Sequence, residues 1–377
     1  MSIKKDTRSP VLSIVGCTNR VWFGFLRKYG FDSPFIYRII LGTCITLLLT
    51  PLRIYERLCL GDAIDNTKIH DSPVFILGHW RSGTTLLHNI LSKDSQFGYV
   101  TYEHGLFPHS FLKNSIISFI TRNAMPRTRP MDNMEIDVHS PQEEEQALVA
   151  LSGHSVYNMW IDPNQQLEFW RGYGLLDNCS MKEQWDRGYI KLLKTATYHF
   201  GGKRLLLKNP SNTARIPYLL EKFPNAKFIY IYRNPYKVYE STKNLHRKAG
   251  PYFHLKAVDT AAIDNNILQI YREMIESYRT GRELLNADRL IEVKYEDFIL
   301  DQESGIRSIY DQLDLGNYDE IEPELRNYLN SIESYVPNNF QPDQRSVETV
   351  NKQMTVAFEL HDYEKLNDKK GIANDQV

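Results

Sequence analysis

A parallel α/β sheet flanked by helices is the fold class this sequence predicts, and three observations predict it. Short apolar runs of strand length alternate with stretches that carry apolar residues at helical spacing. The first run opens a glycine loop that leads directly into a helical stretch, and two later runs end in a cation, Lys208 and Arg233. Strands alternating with helices imply a parallel sheet with right-handed crossovers. Ligands bind such sheets beyond the carboxyl ends of the strands.

In chain order, residues 1–70 read as an N-terminal helical extension that ends in the polar turn DNTKIHDSP. Residues 71–377 read as the main domain, with a helical, loop-rich insertion over about 105–200. SPVFIL is a buried strand bounded by Pro73 and Gly78, and TTLLHNILSKD is the helix after the loop. FGYVTYE is a second candidate strand, which would leave the side chains of Glu103 and His104 pointing opposite ways. In HSPQEEEQALVAL, Ser140 is expected to cap a helix begun by Pro141, with three glutamates in its first turns. KRLLLKNP, AKFIYIYRNP and RLIEVKYEDF complete the strands, separated by the helices TARIPYLLEKFP, PYKVYESTKNLHRK and the stretch around IYREMIESYRTGRELL. YVPNNFQPDQRSVETVNKQM reads as a polar, proline-bearing loop.

Composition narrows the function classes. The 377 residues carry 45 Lys plus Arg against 46 Asp plus Glu, which argues against a nucleic-acid binder. Cys17, Cys44, Cys59 and Cys179 form no C-x-x-C pair, so a reducing, cytoplasmic setting without structural zinc is expected. MSIKKDTRSP does not read as a secretory signal. The apolar run Ile39–Leu52 is shorter than the roughly 20 residues of a spanning helix. Flanked by Arg38 and Arg53, it has two open readings: peripheral membrane contact, or a helix buried against the main domain or a partner subunit of a homo-oligomer.

The chemistry is concentrated at FILGHWRSGTTLL. Gly78 and Gly83 have the spacing of the phosphate-cradling loop G-x-x-x-x-G-K-[ST], which makes the sheet P-loop-like. Thr84 stands where that loop has lysine, and the cation comes earlier, at Arg81. Loop amides, a helix N-terminus, Arg81, Lys208 and Arg233 at one sheet edge describe a polyanion site. A small-molecule kinase is the rival reading. It would need a metal-holding aspartate at a strand end, where this chain has Lys208 and Arg233. A donor handled by cations, without metal, fits better.

On these motifs the chain resembles the sulfotransferases that use 3′-phosphoadenosine-5′-phosphosulfate (PAPS), over roughly residues 71–300. The resemblance implies that Arg81, Ser82, Gly83, Thr84 and Thr85 cradle the phosphosulfate, and that Arg233 and Ser241 hold the 3′-phosphate. It implies that Lys208, with Arg81, steadies charge on the leaving oxygen, and that Tyr295 lies near the adenosine. As general base it puts first Glu103, which resembles the catalytic glutamate of tyrosylprotein sulfotransferases. His104 comes next, resembling the base histidine of the cytosolic steroid and phenol enzymes. Glu143 and Glu144, in a segment similar to one in bacterial members, are the remaining base candidates and acceptor-site candidates, with an acidic helix N-terminus as the plainer reading. Arg127 and Arg129 are a lid, a phosphate contact or simply solvated. The cytosolic enzymes' late R-K-G motif is absent, leaving Asn338, Asn339 or Lys352 to close over the adenine. Leu106, Phe107, Phe111, Leu112, Tyr157, Met159 and Trp160 suggest a hydrophobic acceptor such as a sterol or lipid alcohol, ahead of a phenol or a glycan.

Overall fold

The computed structural model describes residues 16–366 apart from 113, 114, 126, 130, 133, 334–337 and 339. Five strands form one sheet: β1 (Val74–Leu77), β2 (Phe97–Gly98), β3 (Arg204–Lys208), β4 (Lys227–Tyr232) and β5 (Leu290–Lys294), all paired in parallel in the order β2-β3-β1-β4-β5. β1 is buried along its whole length, which is why SPVFIL reads as a continuous apolar run without alternation. Its side chains still divide between two faces. Phe75, Leu77, Leu205, Leu207 and Phe228 enter one core with Trp80, Leu148 and Trp185. Val74, Ile76, Leu206, Ile229 and Ile231 enter another with Leu87, Ile90 and Ile309. The glycine loop and the last residues of β3 and β4 therefore sit on three adjacent strands, with β1 central.

Eight of the helical segments matter for the site and the surface. α1 (Asn19–Tyr29), α2 (Ile36–Leu48) and α3 (Thr50–Asp65) form the N-terminal extension. α4 (Thr84–Leu91) follows the glycine loop, and α5 (Tyr102–Leu106), α6 (Ser115–Ala124) and α7 (Glu144–Ser152) lie in the insertion. The helix Pro235–Ala249 follows β4. α1 is docked rather than free: Trp22 and Phe25 pack with Val149 and Ala150 of α7 and with Ile161 and Leu255. The run Ile39–Leu52 crosses the α2–α3 junction, with Ile39 and Leu49 buried and Leu47 and Leu48 exposed.

Three local expectations are corrected. FGYVTYE is not extended beyond two residues of strand, because Thr101 caps α5, with its hydroxyl accepting from the His104 N–H and the His104 ring accepting from the Thr101 N–H. Ser140 does not cap the glutamate helix: Pro141 bridges Thr101 in antiparallel fashion, and α7 starts after Glu143. The late segment contains the helix Gln344–Gln353, capped by Asp343, whose Val347 and Val350 pack against Tyr236 and Tyr271.

Candidate active site

The glycine loop is shaped by two positions that no side chain could fill. Gly78 has φ 140°, and a Cβ there would lie 2.3 Å from the Ile231 carbonyl oxygen. Gly83 has φ 108°, and a Cβ there would lie 2.4 Å from the Tyr295 ring. The loop thus hugs β4 and the Tyr295 ring while Arg81 adopts a left-handed φ of 75° at its tip. Gly83 offers no side-chain cap to α4, so the first-turn N–H groups and the positive dipole end are left for a ligand. Ser82 adds a buried hydroxyl with no hydrogen-bond partner among the described residues. An anionic phosphosulfate suits this donor set.

Charge converges on the loop from four elements. Arg81 donates through Nε to Ser241 Oγ at 2.9 Å and pairs with Asp132 at 2.7 Å. Arg129 pairs with the same Asp132 at 3.1 Å and reaches Thr85 Oγ1 at 3.3 Å, so of the two insertion arginines this one belongs to the site. Lys208, almost fully buried at the end of β3, donates to Glu143 Oε1 at 2.6 Å and lies 3.5 Å from Thr85 Oγ1. Arg233 stacks its guanidinium 4.2 Å above the Tyr295 ring, the ring that also walls Gly83. Ser241, expected to hold the 3′-phosphate with Arg233, accepts from Arg81. Of the residues proposed to close the adenine side, Asn338 donates to the Met131 carbonyl at 2.9 Å, Lys352 lies in the helix Gln344–Gln353, and Asn339 is outside the described residues.

The three consecutive glutamates have three different surroundings. Burial opposes the charge on Glu143, but the Lys208 ammonium, hydrogen bonds from Lys208 and Tyr157, and Arg129 outweigh it and hold the carboxyl below its ordinary value. Glu145 is sealed in an ion pair with Arg215 at 2.7 Å, both side chains fully buried. Glu144 has only the Asn212 amide, at 3.0 Å, and one buried oxygen without a partner among the described residues. Burial first, and the Glu145 charge second, push it up to about 8. Because the folded pKa lies above the ordinary 4.5, the fold holds a proton that the unfolded chain releases, and stability falls as pH rises from about 4.5 to about 8. Glu144→Gln mimics the protonated acid. It should raise the melting temperature relative to wild type at about pH 9 and leave it nearly unchanged at about pH 4. Equal shifts at both values would remove Glu144 as the titrating group.

Among the described residues, no hydrogen bond or ion pair joins Glu103 or His104 to the Lys208 cluster. In the capped turn of α5 it is Tyr102 that feels the charges of Arg129, Glu143 and Asp132. One residue on, a helix has turned by about 100°. Glu103 accordingly points in a different direction, 3.8 Å from the His139 ring, with its second oxygen buried and unpartnered among the described residues. His104 is fully buried beside Phe111 and His199, and burial, with His199, pulls its pKa well below the ordinary value. Several aromatics expected at an acceptor pocket are also packing residues. Phe111, Phe107 and Leu112 cluster with Leu49 of the extension, and Trp160 stacks on His246. Tyr157 is the exception, since its hydroxyl donates to Glu143. Sequence reasoning missed Tyr102 and Asp132 because neither sits at a strand end. The signal for α5 was the Thr101–His104 cap, hidden by the run of strand-forming residues before it.

Comparison with known proteins places the chain in a family. A family model described as "Sulfotransferase family" matches residues 73–320. The omega-hydroxy-beta-dihydromenaquinone-9 sulfotransferases Stf3 of Mycobacterium bovis and Mycobacterium tuberculosis are each 32% identical over 331 residues, covering 87% of this chain and 85% of theirs. Among solved structures, sulfotransferase STF9 from Mycobacterium avium matches with TM-score 0.64 at 17% identity, covering 96% of this chain and 99% of its own. Sulfotransferase STF1 from Mycobacterium tuberculosis matches with TM-score 0.59 at 19% identity, covering 82% and 85%. At these identities the two structures speak to the fold.

Proposed function

This chain belongs to the sulfotransferase family, and we propose that it moves a sulfuryl group from PAPS to the hydroxyl of a hydrophobic alcohol, with Glu143 rather than Glu103 as the general base. The observation that carries the base assignment is the Lys208–Glu143 pair, 2.6 Å long and beside Thr85 at the start of α4. A base must lie within hydrogen-bond reach of the acceptor proton, and the acceptor oxygen must meet the sulfur opposite the leaving phosphate. Glu143 is held ionised next to the lysine that would steady that phosphate. In the reaction the bond from sulfur to the phosphate oxygen breaks, a bond from sulfur to the acceptor oxygen forms, and the acceptor proton passes to Glu143. Lys208, Arg81 and the loop amides meet the charge that gathers on the departing oxygen. Tyr157, donating to the second carboxylate oxygen, orients Glu143 and leaves the lysine-facing oxygen to act.

The hydrophobic acceptor draws support from the Stf3 relatives, whose name specifies an omega-hydroxylated menaquinone. The test is transfer of label from sulfur-labelled PAPS to long-chain and sterol-like alcohols in mixed micelles, with phenols and soluble sugars in parallel. Transfer confined to sugars would overturn the hydrophobic reading. The donor is tested through Arg233. Arg233→Ala should weaken binding of 3′-phosphoadenosine-5′-phosphate (PAP) by roughly ten- to a hundredfold, as expected for a charge-assisted bond of about 1.5–3 kcal/mol, with little change for an analogue lacking the 3′-phosphate. Equal weakening of both ligands would show that Arg233 does not read that phosphate.

A further inference from the structure

We propose that the outer face of α2 and α3 seats this enzyme on the surface of an anionic phospholipid bilayer. The polarity of these two helices is inverted. Between residues 34 and 59 the exposed side chains include one charge, Arg57, whereas Arg38, Arg53 and Glu56 are buried. Arg38 is held inside the fold by the carbonyls of His254 and Pro251, each at 2.8 Å, and the two terminal nitrogens of Arg53 donate to those of Cys17 and Thr46. Outside stand Ile40, Leu41, Leu47, Leu48, Ile54 and Leu58, with Leu48 77% and Leu58 81% exposed. Of the seventeen exposed large apolar side chains among the described residues, eleven lie between Phe23 and Leu58, so the concentration is local rather than a general property of the surface.

The geometry selects lying on a bilayer over crossing it. No single helix among the described residues is long and apolar enough to span; Ser33–Leu48 and Thr50–Asp65 pass on length and composition only as a pair bent by 41°, and that pair buries Arg38, Arg53 and Glu56 against the rest of the fold. The 13 residues of α2 extend about 20 Å, short of the roughly 30 Å hydrocarbon core. Two cavities at the edge of the face supply the charge that a lipid surface would meet. One, of about 440 Å³, is lined by Arg20, Arg57 and Lys191 beside the exposed Ile54 and Leu58, with Glu56 as its one lining carboxylate. Its neighbour, of about 550 Å³, shares Arg20 and Lys191, adds Lys28 and Arg187, and has no carboxylate in its lining. Asp65 pairs with Arg57 and Lys191, so a phosphate there would compete with that carboxylate for the two cations. Cations beside an apolar face match headgroup phosphates with acyl chains alongside. A second copy of the chain fits less well, because a two-fold contact would set the same cations against themselves. Delivery of a lipid alcohol from this surface rests on the hydrophobic-acceptor reading above; the surface itself does not.

The test is flotation of the full chain with vesicles of phosphatidylcholine alone and of phosphatidylcholine mixed with phosphatidylglycerol, so that no turnover is needed. Wild type should float with the anionic vesicles and at least about tenfold less with the neutral ones. Leu48→Glu with Leu58→Glu should cut flotation by about tenfold or more, at an unchanged melting temperature because both side chains point outward. Arg20→Glu should erase most of the preference for anionic vesicles. Failure of wild type to float, or flotation of the double variant like wild type, overturns the proposal. So does a double variant that turns a dimer into a monomer in light scattering without altering flotation. Equal flotation with both vesicle types overturns its cationic part. A chain that floats but transfers sulfate only to sugars would sink the acceptor reading and leave the seat standing.

Discussion

Glu143→Gln should lower turnover by about 10²–10⁴-fold while PAP affinity stays close to wild type, and Glu103→Gln should keep most of the activity. The two substitutions are chemically identical and differ only in where the side chain lies. Glu143 touches Lys208 and Tyr157 at the mouth of the glycine loop, whereas Glu103 looks toward His139. Glutamine keeps the volume and can still accept from the Lys208 ammonium, so the loop should remain formed; what it loses is the capacity to take the acceptor proton. Single-turnover measurements with saturating labelled PAPS separate the chemical step from binding. The reverse outcome, an inactive Glu103→Gln beside an active Glu143→Gln, would move the base to α5 and reduce the Lys208–Glu143 pair to a structural contact. Lys208→Met is the companion variant. It removes the charge proposed to steady the leaving oxygen and also leaves Glu143 buried with less compensation, so both turnover and stability should fall.

Arg215→Met should destabilise the protein by about 3–5 kcal/mol, read as a lower urea midpoint, the cost of leaving one partner of a buried ion pair uncompensated. Arg215 is fully enclosed. Besides Glu145 it donates to the carbonyls of Gly174 and Tyr173 and to Asn212 Oδ1, and its guanidinium lies 4.2 Å over the Trp185 ring. Glu145 in turn accepts from Ser155, the Val156 N–H and Asn209. Adding Glu145→Gln to Arg215→Met should recover part of the loss, because the stranded charge is then gone. If the double variant is no more stable than the single one, the loss comes from packing around Trp185 and not from the charge.

The candidate site was legible in the sequence to the extent that it follows strands. Lys208 and Arg233 end apolar runs, and Gly78 to Thr85 lies between a strand and a helix, so local pattern and the rules of parallel sheets were enough to bring them together. The insertion was less legible, since its chain is ordered by contacts distant in sequence. Thr101 meets Pro141, and Glu143 meets Lys208 across 65 positions. Whether Tyr102 or Glu103 faces the site depends on one residue of helical rotation, which a run of β-branched and aromatic residues such as YVTY conceals. The three glutamates were recognisable as an acidic helix start, but their division into a base candidate, a protonated acid and a buried ion pair depends on Lys208, Asn212 and Arg215, each arriving from β3 or just after it.

The docking of α1 on α7 bears on how this enzyme can evolve. The family match begins at residue 73, which invites treating everything before it as an interchangeable leader. Yet Trp22, wholly enclosed, lies against Val149 and Ala150 of the helix whose preceding residue is Glu143. A recombination event that swapped the first seventy residues for an unrelated leader would uncover those side chains and loosen the carboxylate's footing at the same stroke. Inheritance should therefore keep the extension and the glutamate helix together, and substitutions at Trp22 should be matched by changes at Val149 or Ala150.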